Sequence, residues 1–113
     1  MALDTTPLTP DQITKLKAQY GKLYKVAYDA DTSYIVRAIK RPEYKDLLAL
    51  LQTIPDPTTR GEMHDEKVCQ LGVVWPSLPT DWADNSPAGL ILTLSTQIMD
   101  RSGFTQSIEV TEI

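Results

Sequence analysis

The spacing of hydrophobic positions along this chain changes several times, and each change marks an element. Ile13, Leu16 and Tyr20 recur at i, i+3 and i+7, which places them on one stripe of an α-helix. The flanks agree. Thr9 precedes Pro10, and Gln12 stands at the third helical position, so the threonine hydroxyl and the glutamine side chain can form a reciprocal capping box. Leu8 and Ile13 staple that cap, and Gly21 supplies the stop. A helix is predicted over residues 10–20.

From Lys22 the period drops to two. Tyr24, Val26 and Tyr28 point one way, and Leu23, Lys25 and Ala27 the other. The run Asp29-Ala30-Asp31-Thr32 has turn chemistry, and from Ser33 to Ile39 the alternation resumes, with Tyr34, Val36 and Ala38 opposite Ile35, Arg37 and Ile39. This reads as a β-hairpin. A lone hairpin is marginal in water, so one of its faces must pack on the helices or on another molecule.

Three further helices are predicted. Pro42 opens one with Tyr44, Leu47, Leu48 and Leu51 on its apolar stripe, ending at Ile54-Pro55. Asp56 caps the next, which runs from Pro57 to Val74 with His64, Val68, Leu71, Gly72 and Trp75 on its stripe and Cys69 and Val73 adjoining. An irregular Pro-rich link follows through Trp82. Pro87 starts the last helix, with Leu90, Ile91, Leu94 and Ile98 as its face and Ser102-Gly103-Phe104 as a Schellman stop. The fold class expected is α+β: an N-terminal helix and hairpin packed with three amphipathic helices in one domain over residues 1–104, then an extended tail over residues 105–113. In that tail Ile108 and Val110 alternate with Glu109 and Thr111, so it could add to a strand edge, of this molecule or of a neighbour.

Composition narrows the function. A chain of 113 residues with 42% hydrophobic and 23% charged side chains is an ordinary globular domain. Residues 88–99 form the longest apolar stretch, too short for a bilayer, and Met1 to Pro10 have no signal-peptide pattern. The single Cys69 forms no internal disulfide, so a reducing cytoplasm is expected, or a compartment where Cys69 simply stays buried. A net charge of −4 argues against nucleic acid as partner. That charge is polarised: residues 1–54 carry 8 basic and 6 acidic side chains, and residues 55–113 carry 3 and 9. Such polarity can orient a partner.

Reactive constellations are not visible. His64 and Cys69, five residues apart on one helix, would diverge by about 140°, so they make a poor nucleophile–base pair. Glu62, His64, Asp65 and Glu66 lack a second ligand group with metal-site spacing and read as a solvated acidic turn. The five glycines are scattered, so no phosphate cradle forms. No enzyme, cofactor or metal is expected. A protein-docking patch fits better, with Tyr34, Arg37, Arg41 and Tyr44 as its first candidates because Arg and Tyr anchor interfaces. Trp75 and Trp82 come second, since they either cap the helical core, the default, or are displayed for binding. Replacing Arg37 and Arg41 together with Glu is expected to abolish capture without loss of helix.

The order of the segments Leu8-Thr9-Pro10-Asp11-Gln12, Tyr20-Gly21-Lys22-Leu23-Tyr24-Lys25-Val26, Tyr34-Ile35-Val36-Arg37, Arg41-Pro42-Glu43-Tyr44, Pro87-Ala88-Gly89-Leu90 and Ser102-Gly103-Phe104 resembles that of the small tail assembly chaperones of tailed bacteriophages and related small tail or baseplate proteins. The Trp75-Pro76 step corresponds to an aromatic–Pro junction in that group, whereas Trp82 and the acidic tail depart from it. The resemblance implies a non-enzymatic protein of the host cytoplasm that binds tape measure and tail tube proteins during assembly. Two alternatives stand beside it: a minor structural component retained in the virion tail or baseplate, and a generic intracellular protein-binding adaptor.

Overall fold

The structure, a computed structural model, describes residues 3–104 and 108–113. Helix α1 (Pro10–Tyr20) leads into strands β1 (Leu23–Ala27) and β2 (Ser33–Arg37), then α2 (Arg41–Leu51), α3 (Pro57–Gly72), β3 (Val73–Trp75) and α4 (Ala88–Arg101). The fold is thus α+β, with a small antiparallel sheet of order β1-β2-β3 among four helices.

The local signals place the elements well. The Thr9 hydroxyl accepts from the amide of Gln12 at 3.2 Å, and the Gln12 side chain accepts from the amide of Thr9 at 2.8 Å. Gly21 closes α1 at φ 84°, its amide donating to the Lys17 carbonyl. At the far end Gly103, at φ 93°, donates to the Asp100 carbonyl while Phe104 donates to that of Met99, the two bonds of a Schellman motif. The Phe104 ring lies tilted against that of Tyr44, centroids 4.7 Å apart.

The hairpin pairs Tyr24 with Val36 and Val26 with Tyr34, so the even-numbered positions share a face. That face is the inward one: Tyr34 and Val36 are buried and Tyr24 and Val26 pack against the core. Ile39, Leu47, Leu51, Val68, Cys69, Trp82, Leu90, Leu94 and Ile98 complete the cluster. Burying one such aliphatic side chain is worth about 1.5–3 kcal/mol.

Three expectations need correction. The third helix stops at Gly72, and Val73–Trp75 is a strand that pairs antiparallel with β2, Ile35 opposite Trp75 and Val36 opposite Val73. A three-residue strand is too short for its period to show, and Val73 and Trp75 happen to extend the helical stripe of α3. Second, Leu48 lies off the buried side of α2 and is 41% exposed. Third, the hairpin strands are shorter than the alternation, β2 ending at Arg37 rather than Ile39. In the tail, residues 108–113 carry no helix or strand and are exposed, and residues 105–107 lie outside the described residues.

Candidate functional site

Arg37 ends β2 with its guanidinium turned inward. It donates through Nε to the Leu71 carbonyl at 3.0 Å and through Nη1 to the Ala38 carbonyl at 3.3 Å, and it grips the Glu43 carboxylate with both Nη atoms at 2.6 and 2.7 Å. Its other side lies 4.4 Å from the centroid of the Tyr20 ring. One side chain therefore ties β2, α1, α2 and α3 together. Glu43 also accepts from the Lys40 amide at the start of α2. The side-chain bonds from Arg37 are the main cause holding the Glu43 carboxyl below its ordinary range; partial burial opposes them, and the Lys40 amide adds to them. Planar bidentate pairing of this kind is something a lysine would not reproduce.

At the next residue of α2, the Tyr44 hydroxyl and His64 Nε2 share a hydrogen bond of 2.9 Å, and His64 Nδ1 lies 3.1 Å from Asp65 Oδ1. An ionised carboxylate only accepts, so a neutral imidazole carries its proton on Nδ1 and receives the tyrosine hydroxyl on Nε2. The chain resembles a relay in connectivity only. Burial pushes the Tyr44 phenol above its ordinary range, the reverse of what an activated nucleophile needs. Burial, assisted by the negative charges of Asp65 and Glu66, pushes the Cys69 thiol up to about 12, and its Sγ points at the Ile91 carbonyl. Neither group supplies a nucleophile at neutral pH.

The residues proposed for docking separate into two sets. Tyr34 is 2% exposed, Arg37 5% and Trp82 5%, so these three are core and not contact surface. Trp82 stands edge-on to Tyr34, centroids 6.1 Å apart, and is the core cap that was its default reading. Trp75 is half-buried, and its Nε1 donates to the Thr6 carbonyl at 2.9 Å, strapping the N-terminal segment to β3. Tyr44 is half-buried between His64 and Phe104. Of the six, Arg41 alone is fully at the surface, where it borders a shallow cleft with Pro42, Lys45 and Asp46. The Arg37/Arg41 double substitution therefore loses its meaning as a binding test, because removing Arg37 dismantles the junction of four elements.

What lies open is the other side of α2. A cleft of about 330 Å³ runs between α2 and α3, floored by Leu47, Leu50 and Leu71 and rimmed by Glu43, Asp46, Lys67 and Gln70. Leu50 is 48% exposed and Leu48, around the helix, 41%. Glu43, Asp46, Leu47 and Leu50 fall at i, i+3, i+4 and i+7, one face of α2. Sequence reading missed this groove because it assigned α2 one narrow apolar stripe, whereas Leu47, Leu48, Leu50 and Leu51 cover an arc of about 160° of the helix. Four leucines in five residues were the available signal. No family model, curated protein or solved structure matches this chain. Among the described residues, no group of three or more His, Cys, Asp or Glu side chains could hold a metal ion, and no helix is long and apolar enough to cross a membrane.

Proposed function

We propose that this chain is a non-enzymatic morphogenesis factor of a tailed bacteriophage, acting in the host cytoplasm by binding the tape measure protein or tail tube and baseplate subunits during assembly. The resemblance in segment order supplies the biological setting. The observation that carries the physical part is the α2–α3 groove: an apolar floor of Leu47, Leu50 and Leu71 with charges of both signs on its rim. That is how a surface receives an amphipathic helix, the apolar side laid into the groove and the polar flanks answered at the rim. A tape measure protein is a long helical polypeptide whose apolar faces need cover until the tube closes around it.

Coexpression with the tape measure protein of the same phage, followed by pull-down, tests the reading. The wild-type chain should copurify with its partner and raise the partner's soluble fraction. No association and unchanged solubility would refute it. Mass spectrometry of purified particles separates chaperone from retained component: absence from the particle fits the chaperone, and stoichiometric presence fits the structural alternative.

A further inference from the structure

The outer edge of β1 is one of the two edges of the sheet and, among the described residues, β1 pairs with β2 alone. Beside that edge runs a trough of about 560 Å³ walled by all five residues of β1 and by Thr93, Gln97 and Arg101 of α4. A second cleft, lined by Lys17, Gly21, Lys22, Leu23 and Tyr24, continues it past the start of the strand. No acidic residue lines either cleft, while Lys17, Lys22, Lys25 and Arg101 do. The edge is thus a row of backbone donors and acceptors in a basic setting, the form of a strand-addition site.

The same chain carries a segment of the complementary kind. Residues 108–113, Ile-Glu-Val-Thr-Glu-Ile, are β-prone and acidic, and Ile108, Val110 and Ile113 are 81%, 89% and 118% exposed. At about 3.3 Å per residue they span about 20 Å, enough for the five residues of β1. We propose that residues 108–113 of one copy add as a fourth strand to the β1 edge of a second copy, antiparallel to β1.

Charge selects the direction. Tyr24 and Val26 point to the α4 side, and the Arg101 guanidinium lies 5.1 Å from the Tyr24 ring centroid. An antiparallel tail sets Glu112 beside Tyr24 within reach of Arg101, Val110 beside Val26 and Ile108 beside Tyr28, while Glu109 lies diagonal to Lys25. The parallel alternative would carry Glu112 toward Asp29. The antiparallel register also selects the second copy as donor. Arg101, near the end of α4, is beside Tyr24, and Phe104 is held by its amide bond to Met99 and its ring against Tyr44, so the four steps from Phe104 to a chain's own residue 108 would be spent on the run of about 13 Å to the Tyr28 end, with none left to reverse direction. A neighbour's tail has no such constraint. Reciprocal exchange closes a dimer, and one-way exchange builds an open chain.

Sedimentation velocity of the full chain over a range of concentrations tests this. The wild-type chain should self-associate, more weakly as salt is raised. The I108D/V110D and K25E/R101E variants, all at exposed or trough-lining positions away from the core cluster, should keep the wild-type circular dichroism and associate at least about tenfold more weakly. Combining K25E/R101E with E109K/E112K should restore association. A wild-type chain that stays monomeric, including one whose tail amides are protected by its own edge, overturns the proposal, as does a charge swap that fails to rescue.

Discussion

Helices α1 and α2 are a matched pair in local chemistry and opposites in packing. Each has eleven residues, a proline in its first turn and a side chain at the third position that reaches back to the amide before the helix. Yet α1 buries no residue, while α2 buries Leu47 and Leu51 and receives Arg37 through Glu43. Capping sets where a helix begins; what it is worth to the fold depends on the side chains it brings to other elements. Helix α1 is anchored mainly at its end, by Tyr20 over Arg37, whereas α2 carries both the central ion pair and the open groove.

The largest expected effect lies at the residue that both helices share. Arg37→Ala leaves the partly exposed Glu43 without its cation, strips the Leu71 carbonyl of its donor and frees the Tyr20 ring, a combined loss of about 3 kcal/mol. Arg41→Ala, four residues along and exposed, should cost under about 0.5 kcal/mol. Urea unfolding of the two variants checks the contrast, and equal effects would break it. The pair also predicts an acid dependence. Because the Glu43 carboxyl is depressed in the folded state, mainly by Arg37, its contribution is complete above the unfolded glutamate range, about pH 4.3. It is then lost as pH falls through the depressed folded value. Glu43→Gln should flatten that part of the stability–pH curve in urea titrations.

A smaller loss is expected where α3 meets α4. A Cβ built on Gly72 would lie 2.6 Å from Ile98 Cγ2, and Ile98 is fully buried. Gly72→Ala should destabilise by about 1–3 kcal/mol, as overpacking does, and a neutral result would show that the α3–α4 crossing can yield. Thr9→Ala removes the cap of α1 and should cost about 1 kcal/mol. Native-state hydrogen exchange should place that loss chiefly in α1 amides, because α1 itself contributes no residue to the buried hydrophobic cluster.

The sequence showed the helices because their caps are local: Thr9 with Gln12, Asp56 with Thr59 and Gly103 with Phe104 are each read within a few residues. The alternation of the hairpin was legible for the same reason, whereas which of its two faces turns inward was not. Long-range features were not. The bond between Tyr44 and His64 joins residues 20 positions apart, and that between Arg37 and Leu71 spans 34. A lone arginine in an alternating strand reads as solvated until Glu43 and the Leu71 carbonyl are seen around it. Tyr34 was misplaced on the surface for the same reason, because Trp82, which stands edge-on to it, lies in a segment with no period to reveal the contact.

The smallest stability change accompanies the most direct test of function. Leu50→Asp, at a half-exposed position on the groove floor, should shift unfolding by under about 0.5 kcal/mol and abolish capture of the tape measure protein. The corresponding direct measurement on the unmodified chain is hydrogen–deuterium exchange with and without that partner. The account predicts new protection in α2 and in the part of α3 around Lys67–Leu71, with α1 unchanged. Protection confined to α1 or absent from the groove would contradict it.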